Sequence, residues 1–224
     1  MADIVLIHGT TQSPVGWRRL VDALESRGHR AVTVDLATEP ANSVAEYADV
    51  IGRQVPGDLT TPLVVAHSGS APLLPAVARR LGARRQVWLA ALVPDGRQSF
   101  LDEIQVAPAD IFHRDWLGRD PTTDPVLATY FLFHDCDFET LQWALTTVRL
   151  FDPNVLYSET VTLAPEIPST YVVALRDRAL RAEWCRREAV RRLGADIVEL
   201  DAGHCPHVSA AEPLAAELDR LARQ

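Results

Sequence analysis

The chain has 224 residues, 47% of them hydrophobic, and a net charge of −8 from 30 acidic and 22 basic side chains, every one of the latter an arginine. With no lysine, P-loop phosphate binding and Schiff-base chemistry are excluded, so a catalytic base has to be His, Asp, Glu, Tyr or Cys. The acidic balance argues against a general nucleic-acid binder, because affinity for polyanions comes from clustered cations.

In chain order, residues 4–8 form the first apolar run, and Trp17, Leu20, Val21 and Leu24 then share one helical face, with Gly28 placed for a C-cap. Residues 31–36 make a second apolar run, and Ser43 with Glu46 has capping-box spacing ahead of Tyr47, Ile51 and Val55. Residues 63–67 lead into a helix-like segment ending near Leu81, with Pro72 in its first turn and Pro75 expected to kink it. Residues 86–92, 170–175 and 196–200 are the remaining apolar runs, and Ser209 with Glu212 repeats the capping-box spacing before Leu214, Leu218 and Leu221. Arg186-Arg187 and Arg191-Arg192 alternate with acidic and apolar residues and read as a solvated helix face.

None of the apolar runs alternates cleanly, as expected for strands buried on both faces of a parallel sheet. The β and α segments predict an α/β fold: a doubly wound, mainly parallel sheet of about six strands. Residues 97–166 interrupt the rhythm. They are rich in Pro, Asp and aromatics and lack a buried-strand run, and their clearest helix spans 137–150 with Phe138, Leu141, Leu145 and Val148 on one face. They predict a mainly helical cap inserted into a core of residues 1–96 and 167–224, over the strand ends where ligands bind in such sheets.

Cys136, Cys185 and Cys205 are an odd, widely spaced set without a CxxC and read as reduced thiols. The N-terminus has no basic region ahead of a long apolar segment, and no stretch approaches ~20 apolar residues. A soluble cytoplasmic protein with no membrane partner is the expectation.

Three placements carry the chemistry. Ala66-His67-Ser68-Gly69-Ser70 follows the third run, and a serine at a strand-to-helix turn with small residues two positions either side has the content of a nucleophile elbow, although Ala66 and Ser70 replace the two glycines. His8-Gly9-Thr10 follows the first run, where a glycine lets the next N–H face a developing oxyanion. Asp177 follows the fifth run and His204 the sixth, so Ser68, Asp177 and His204 fall in the chain order of an α/β-hydrolase triad. Asp95, past the fourth run, is a rival acid.

Over nearly its whole length the sequence resembles the α/β-hydrolase superfamily, and within it the small branch of plant methyl esterases, hydroxynitrile lyases and their bacterial esterase-like relatives. The resemblance rests on Val5-Leu6-Ile7-His8-Gly9 with Trp17 nine positions after the histidine, Gly28-His29 before Val32-Thr33-Val34-Asp35-Leu36, the elbow, Leu92-Val93-Pro94-Asp95-Gly96, His134-Asp135-Cys136, and Gly203-His204. It implies an α/β-hydrolase fold with its N-terminal strands trimmed, Ser68 as nucleophile, His204 as base, Asp177 as the acid, and the N–H groups of Thr10 and Gly69 as oxyanion hole. The lyases of the branch carry a threonine after the first-strand histidine and use a lysine near the active site. Gly9 and the absence of lysine favour the esterase side.

Other features have plainer readings. His67 and His8 sit at the turns and are expected to be structural. The pair His204 and His207 lacks a third metal ligand in the sequence, and His207 is expected to be a surface or packing residue. His134-Asp135-Cys136 reads as a helix start, capped by Asp135 or Asp137. Among the cap aromatics Phe112, Trp116, Tyr130, Phe131, Phe133 and Trp143, most should fill the cap, while Trp116, Tyr130, Phe131 and Trp143 are candidates for the substrate pocket. The expected activity is cofactor-free and metal-free hydrolysis of a small, mostly apolar carboxylic ester. A lyase or cyclase using the same site and a receptor-like ligand binder are the alternatives, and the partner is a small molecule. Oligomeric state is open, with a homodimer as one option.

Overall fold

The computed structural model describes residues 1–224. The six apolar runs become β1 (Asp3–Ile7), β2 (Arg30–Val34), β3 (Leu63–His67), β4 (Arg85–Leu89), β5 (Ser169–Ala174) and β6 (Asp196–Leu200). They form one sheet in the order β2-β1-β3-β4-β5-β6, parallel at every pairing. The chain runs outward from β1 to β2 and then returns to β3 on the other side of β1. The switch point therefore lies between β1 and β3, beyond whose carboxyl ends such sheets bind their ligands.

Helices α1 (Arg18–Glu25), α2 (Val44–Gln54) and α3 (Leu74–Arg80) precede the insertion, which carries α4 (Phe100–Val106), α5 (Pro108–Ile111), α6 (Pro125–Leu132), α7 (Phe138–Leu145) and α8 (Asn154–Ser158). Helices α9 (Ala182–Leu193), α10 (Pro206–Ser209) and α11 (Ala211–Ala222) complete the core. Successive strand residues serve opposite layers. Ile4, Leu6, Val65 and Leu89 pack with Leu20 and Leu24 of α1 and Leu214 and Leu218 of α11, whereas Val5, Ile7, Val64 and Trp88 pack with Ile51 of α2, Val77 of α3 and Ala189 of α9. Both faces of the four central strands are dry, so these need no alternation, while the edge strands β2 and β6 are partly exposed; burial of each such side chain is worth about 1.5–3 kcal/mol. No helix is long and apolar enough to cross a membrane.

Local signals were met to different degrees. Ser43 caps α2, its side chain accepting from the Glu46 N–H, but the Glu46 carboxylate turns back to the Asn42 N–H at 2.8 Å and closes only half the expected box. The second box does not form: α11 starts after Ala210 without a side-chain cap, because the Ser209 hydroxyl donates to Asp135 instead. Gly28 takes φ +80° in the turn after α1, whose C-cap is Ser26. Pro72 lies in a 3-10 turn (Ser68–Leu73) and Pro75 in the first turn of α3, giving two short segments in place of one kinked helix. The run 86–92 overshoots its strand, since beyond Leu89 the chain turns toward the elbow and the Leu92 N–H donates to the Ser68 carbonyl. Helix α7 ends at Leu145, because Val148 bridges to Gln12 of the first loop.

The insertion is not a subdomain with a core of its own. Phe100, Ile111, Phe151 and Leu156 join the main core, while Ala128, Phe131, Leu132, Phe133 and Ala144 pack on Cys205 and Val208 beside His204. One reading of the arginine clusters is corrected here. Arg192 is 7% exposed and reaches Glu188, Glu103 of α4 and the Val93 carbonyl at 2.6 Å, so it clamps α9 to the insertion; Arg187 and Arg191 do lie on the exposed face.

Candidate active site

The ends of β1, β3, β5 and β6 converge on one point. Ser68 leaves β3 with φ +54°, a left-handed conformation that costs a non-glycine residue about 1–3 kcal/mol and persists because its surroundings fix it. One shared hydroxyl proton does much of that fixing: Ser70 Oγ lies 2.6 Å from the His8 carbonyl and 2.9 Å from the His67 carbonyl, its single O–H directed between them. The serine that replaces the second elbow glycine thus ties the elbow to the first loop. Gly9 completes the fit. It needs no positive φ; a Cβ there would lie 2.6 Å from His67 Nδ1 and 3.2 Å from Ser68 Cβ, so the requirement is for space.

Ser68, His204 and Asp177 are brought together in hydrogen-bonding order. Ser68 Oγ lies 2.9 Å from His204 Nε2, and His204 Nδ1 lies 2.8 Å from Asp177 Oδ2. A carboxylate accepting from Nδ1–H leaves the Nε2 lone pair facing the serine hydroxyl, the tautomer a general base requires. Asp177 is itself held by the Ala179 and Leu180 N–H groups on Oδ1 at 2.7 and 2.9 Å. Asp95 is elsewhere, accepting from the Arg97 and Gln98 N–H groups in a surface turn. The N–H groups of Thr10 and Gly69 have no intramolecular acceptor, as befits donors kept for a ligand.

Buried histidines surround this relay. His67 Nε2 lies 2.8 Å from the His204 carbonyl and fixes the backbone of His204. His207 is fully buried as a packing residue, stacked 4.2 Å from Trp17, with Nε2 2.8 Å from Gln12 Oε1. Burial, with the neighbouring imidazoles adding to it, holds the pKa of His67 well below the usual histidine value and that of His207 at about 3. Both are therefore neutral at ordinary pH. His204 and His207 bond to different partners, and no group of three or more His, Cys, Asp or Glu side chains is gathered in one place. Cys136 and Cys205 are poor nucleophiles here, since burial pushes the Cys136 thiol up to about 12 and that of Cys205 well above its usual value.

The cap supplies positioning groups that the sequence did not reveal. Asp135 is not a helix cap; Asp137 caps α7, with its side chain accepting from the Thr140 N–H. The Asp135 side chain is 1% exposed and accepts from the Gly203 N–H at 2.6 Å and from Ser209 Oγ at 2.7 Å, bracing the loop that carries His204. His134 Nε2 sits 2.9 Å from the Arg176 carbonyl, next to Asp177. On the other side of the site the segment 147–151 runs along the first loop, with the Phe151 N–H donating to the Thr10 carbonyl at 2.8 Å. Arg149 pairs with Asp35 beyond β2.

Of the four candidate pocket aromatics, two stand near the triad. The Trp116 ring lies 6.3 Å from that of His204, and Phe131 packs edge-on behind it at 5.2 Å. Tyr130 and Trp143 are corrected. Tyr130 is 45% exposed under the Arg178 guanidinium on the outer surface, and Trp143 lines a groove with Arg18, Arg19 and Asp22 of the α1 region. Helical spacing could not tell which aromatics of the cap face inward, because α6 is apolar nearly all round. Tyr157, on α8, carries no local sequence signal; its hydroxyl stands against Gly69, 88 residues earlier in the chain.

Comparison with known proteins agrees with this fold. Residues 4–217 match the alpha/beta hydrolase family. The chain belongs to that family. A probable hydrolase, R7, of Phoma sp. is 28% identical to it, over 98% of this chain and 97% of the relative. Among solved structures, polyneuridine aldehyde esterase superposes with a TM-score of 0.80 at 18% identity, covering 99% of each chain. A pyrethroid hydrolase of Sphingobium faniae JZ-2 does so with 0.81 at 19% identity, covering 99% of this chain and 97% of the other. Both share the fold.

Proposed function

We propose that this protein is a serine hydrolase that cleaves a small, mostly apolar carboxylic ester through an acyl-enzyme. The observation that carries the reading is the unbroken relay from Ser68 Oγ through His204 to Asp177 at 2.9 and 2.8 Å, set at three strand ends beside two unpaired N–H groups. Ser68 Oγ attacks the ester carbonyl as His204 Nε2 takes its proton. The N–H groups of Gly69 and Thr10 hold the oxyanion, and Asp177 stabilises the imidazolium. The imidazolium then protonates the departing alcohol, and a water activated by the same base releases the acid. Trp116 and Phe131 beside the base give the site an apolar wall, and Ser68 itself is only 9% exposed, which favours a slim substrate.

The test is hydrolysis of p-nitrophenyl and methyl esters of graded acyl length, together with labelling by a fluorophosphonate. Ser68→Ala should abolish both. Asp177→Asn should lower kcat by about 10³–10⁴-fold through loss of the productive tautomer, while Asp95→Asn leaves it unchanged. Turnover that survives Ser68→Ala but not His204→Ala would replace the acyl-enzyme with acid–base chemistry of the lyase or cyclase kind.

A further inference from the structure

A side-chain hydroxyl stands against Gly69, beside the unpaired amides of Thr10 and Gly69. A Cβ built on Gly69, the residue after the nucleophile, would lie 2.3 Å from Tyr157 Oη, 2.8 Å from Thr10 Cγ2 and 3.0 Å from Thr10 Oγ1. The hydroxyl of Tyr157 thus occupies the volume that a side chain at this position would fill, beside one oxyanion residue and next to the side chain of the other. Glycine at 69 is what leaves the room.

Several observations show that the hydroxyl is placed there and is not an idle end of a core ring. The Tyr157 ring is held edge-on against Phe100, with centroids 5.4 Å apart, and packs on the main core. Its backbone is fixed as well, the Tyr157 N–H donating to the Pro153 carbonyl at 2.9 Å in the single turn of α8. Yet Oη of the half-buried Tyr157 has no hydrogen-bond partner in the protein, whereas the fully buried Tyr171 bonds Ala91 through both its donor and its acceptor. A phenol fixed by its ring beside the elbow, with no protein partner and some access left to it, is free to donate to a ligand there. Burial also drives the Tyr157 phenol upward, so it remains a neutral donor at any working pH. Thr10 Oγ1 is likewise unpartnered, but its hydroxyl rotates freely whereas the phenol is fixed by its ring.

We propose that Tyr157 is a third hydrogen-bond donor to the oxyanion, its O–H completing the pair of N–H groups from Thr10 and Gly69. It donates without giving up its proton: the carbonyl oxygen gains charge as Ser68 Oγ bonds to carbon, and the phenol follows it by shortening one hydrogen bond. This inference rests on the serine-esterase reading. It adds that the site is equipped for esters with poor alcohol leaving groups, in which the tetrahedral intermediate is most costly, because a third donor acts most where the oxyanion charge is fully developed.

The experiment compares wild type with Tyr157→Phe, Gly69→Ala, the double variant and Ser68→Ala, on p-nitrophenyl butyrate and methyl butyrate. Dissociation constants for n-butylboronic acid, which forms a tetrahedral anionic adduct on a serine, and for butyramide, an uncharged ground-state mimic, are measured alongside. Tyr157→Phe should lower kcat by about 100-fold with KM within about threefold, the loss being larger on the methyl ester. Boronate binding should weaken in parallel with kcat/KM, and butyramide binding should stay within twofold, a contrast that general loosening of the fold would not produce. Gly69→Ala keeps the tyrosine but takes its space, so it should show a similar loss, and the double variant should be no worse than the poorer single one. Additive losses, or a Tyr157→Phe enzyme within twofold of wild type on both the esters and the boronate, would overturn the role of Tyr157. If Tyr157→Phe did not fold, Gly69→Ala with full activity and boronate affinity would overturn it equally. Activity or boronate binding retained by Ser68→Ala, or absent from wild type, would instead remove the serine-esterase reading and the tyrosine's role with it.

Discussion

Asp135 offers the sharpest test of how the cap controls the site. Replacing it with alanine removes one acceptor from two donors at once: the Gly203 N–H, one residue before the base, and the Ser209 hydroxyl. Hydrogen bonds to a charged acceptor are worth about 1.5–3 kcal/mol each, and part of that sum is returned because the buried carboxylate no longer has to be desolvated. Asp135→Ala should therefore destabilise the fold by about 2–4 kcal/mol in urea unfolding at pH 7. Its effect on turnover should be separate in kind. With the Gly203 amide released, His204 keeps Asp177 on one side and the His67 bond to its carbonyl on the other, but loses the support of the loop before it. Misplacement of a reacting group by ~1 Å costs about 100-fold, so kcat for a p-nitrophenyl ester should fall by about 10–100-fold with KM nearly unchanged. Asp135→Asn retains an oxygen for the Gly203 N–H and should recover most of the turnover. An alanine variant within 0.5 kcal/mol of wild type and with unaltered kcat would refute the bracing role and leave the sheet ends and His67 as the sole supports of the base.

Two further outcomes concern stability. Arg192→Ala should cost about 3–5 kcal/mol in thermal or urea unfolding, because it leaves the largely buried Glu103 carboxylate without its partner and takes one of three arginines from Glu188, whereas Arg187→Ala on the exposed face should cost less than 1 kcal/mol. His207, held at about 3 by burial, is neutral when folded but charges near 6.5 when unfolded, so the unfolded chain binds the extra proton as pH falls. Stability should be full above pH 6.5 and decline toward pH 3, this one group contributing up to about 1.4 kcal/mol per pH unit. His207→Gln, which can still donate to Gln12, should flatten the decline of the urea midpoint between pH 6.5 and 4.5; an unchanged slope would show that other groups govern acid unfolding.

What the sequence determined by itself was everything carried by local pattern. All six apolar runs lie in the sheet, and the four central strands are covered on both faces, where a strand with one wet face would alternate, while the edge strands β2 and β6 are only partly covered. Ser68, Asp177 and His204 were legible because each follows a strand directly, and parallel strands deliver their carboxyl ends to one edge. The family resemblance favours Asp177 over Asp95 and the fold gives the reason: both follow strands, but β5 lies beside β6 and brings Asp177 to His204, whereas Asp95 closes a turn with its own neighbours. The fold likewise decided what spacing could not express. Ser209 and Asp135 both looked like helix caps, and they bond one another because α10 meets the start of α7 across the catalytic loop. Arg192 looked solvated because a helical face is read against water, and the insertion that covers it belongs to a distant part of the chain. Tyr130 and Trp143 look outward for the same reason. Gly69 and Tyr157 make the point at the shortest range: a glycine after a nucleophile is unremarked in sequence, and only the packing of α8 on the elbow shows that the missing side chain has been replaced by a hydroxyl from 88 residues away.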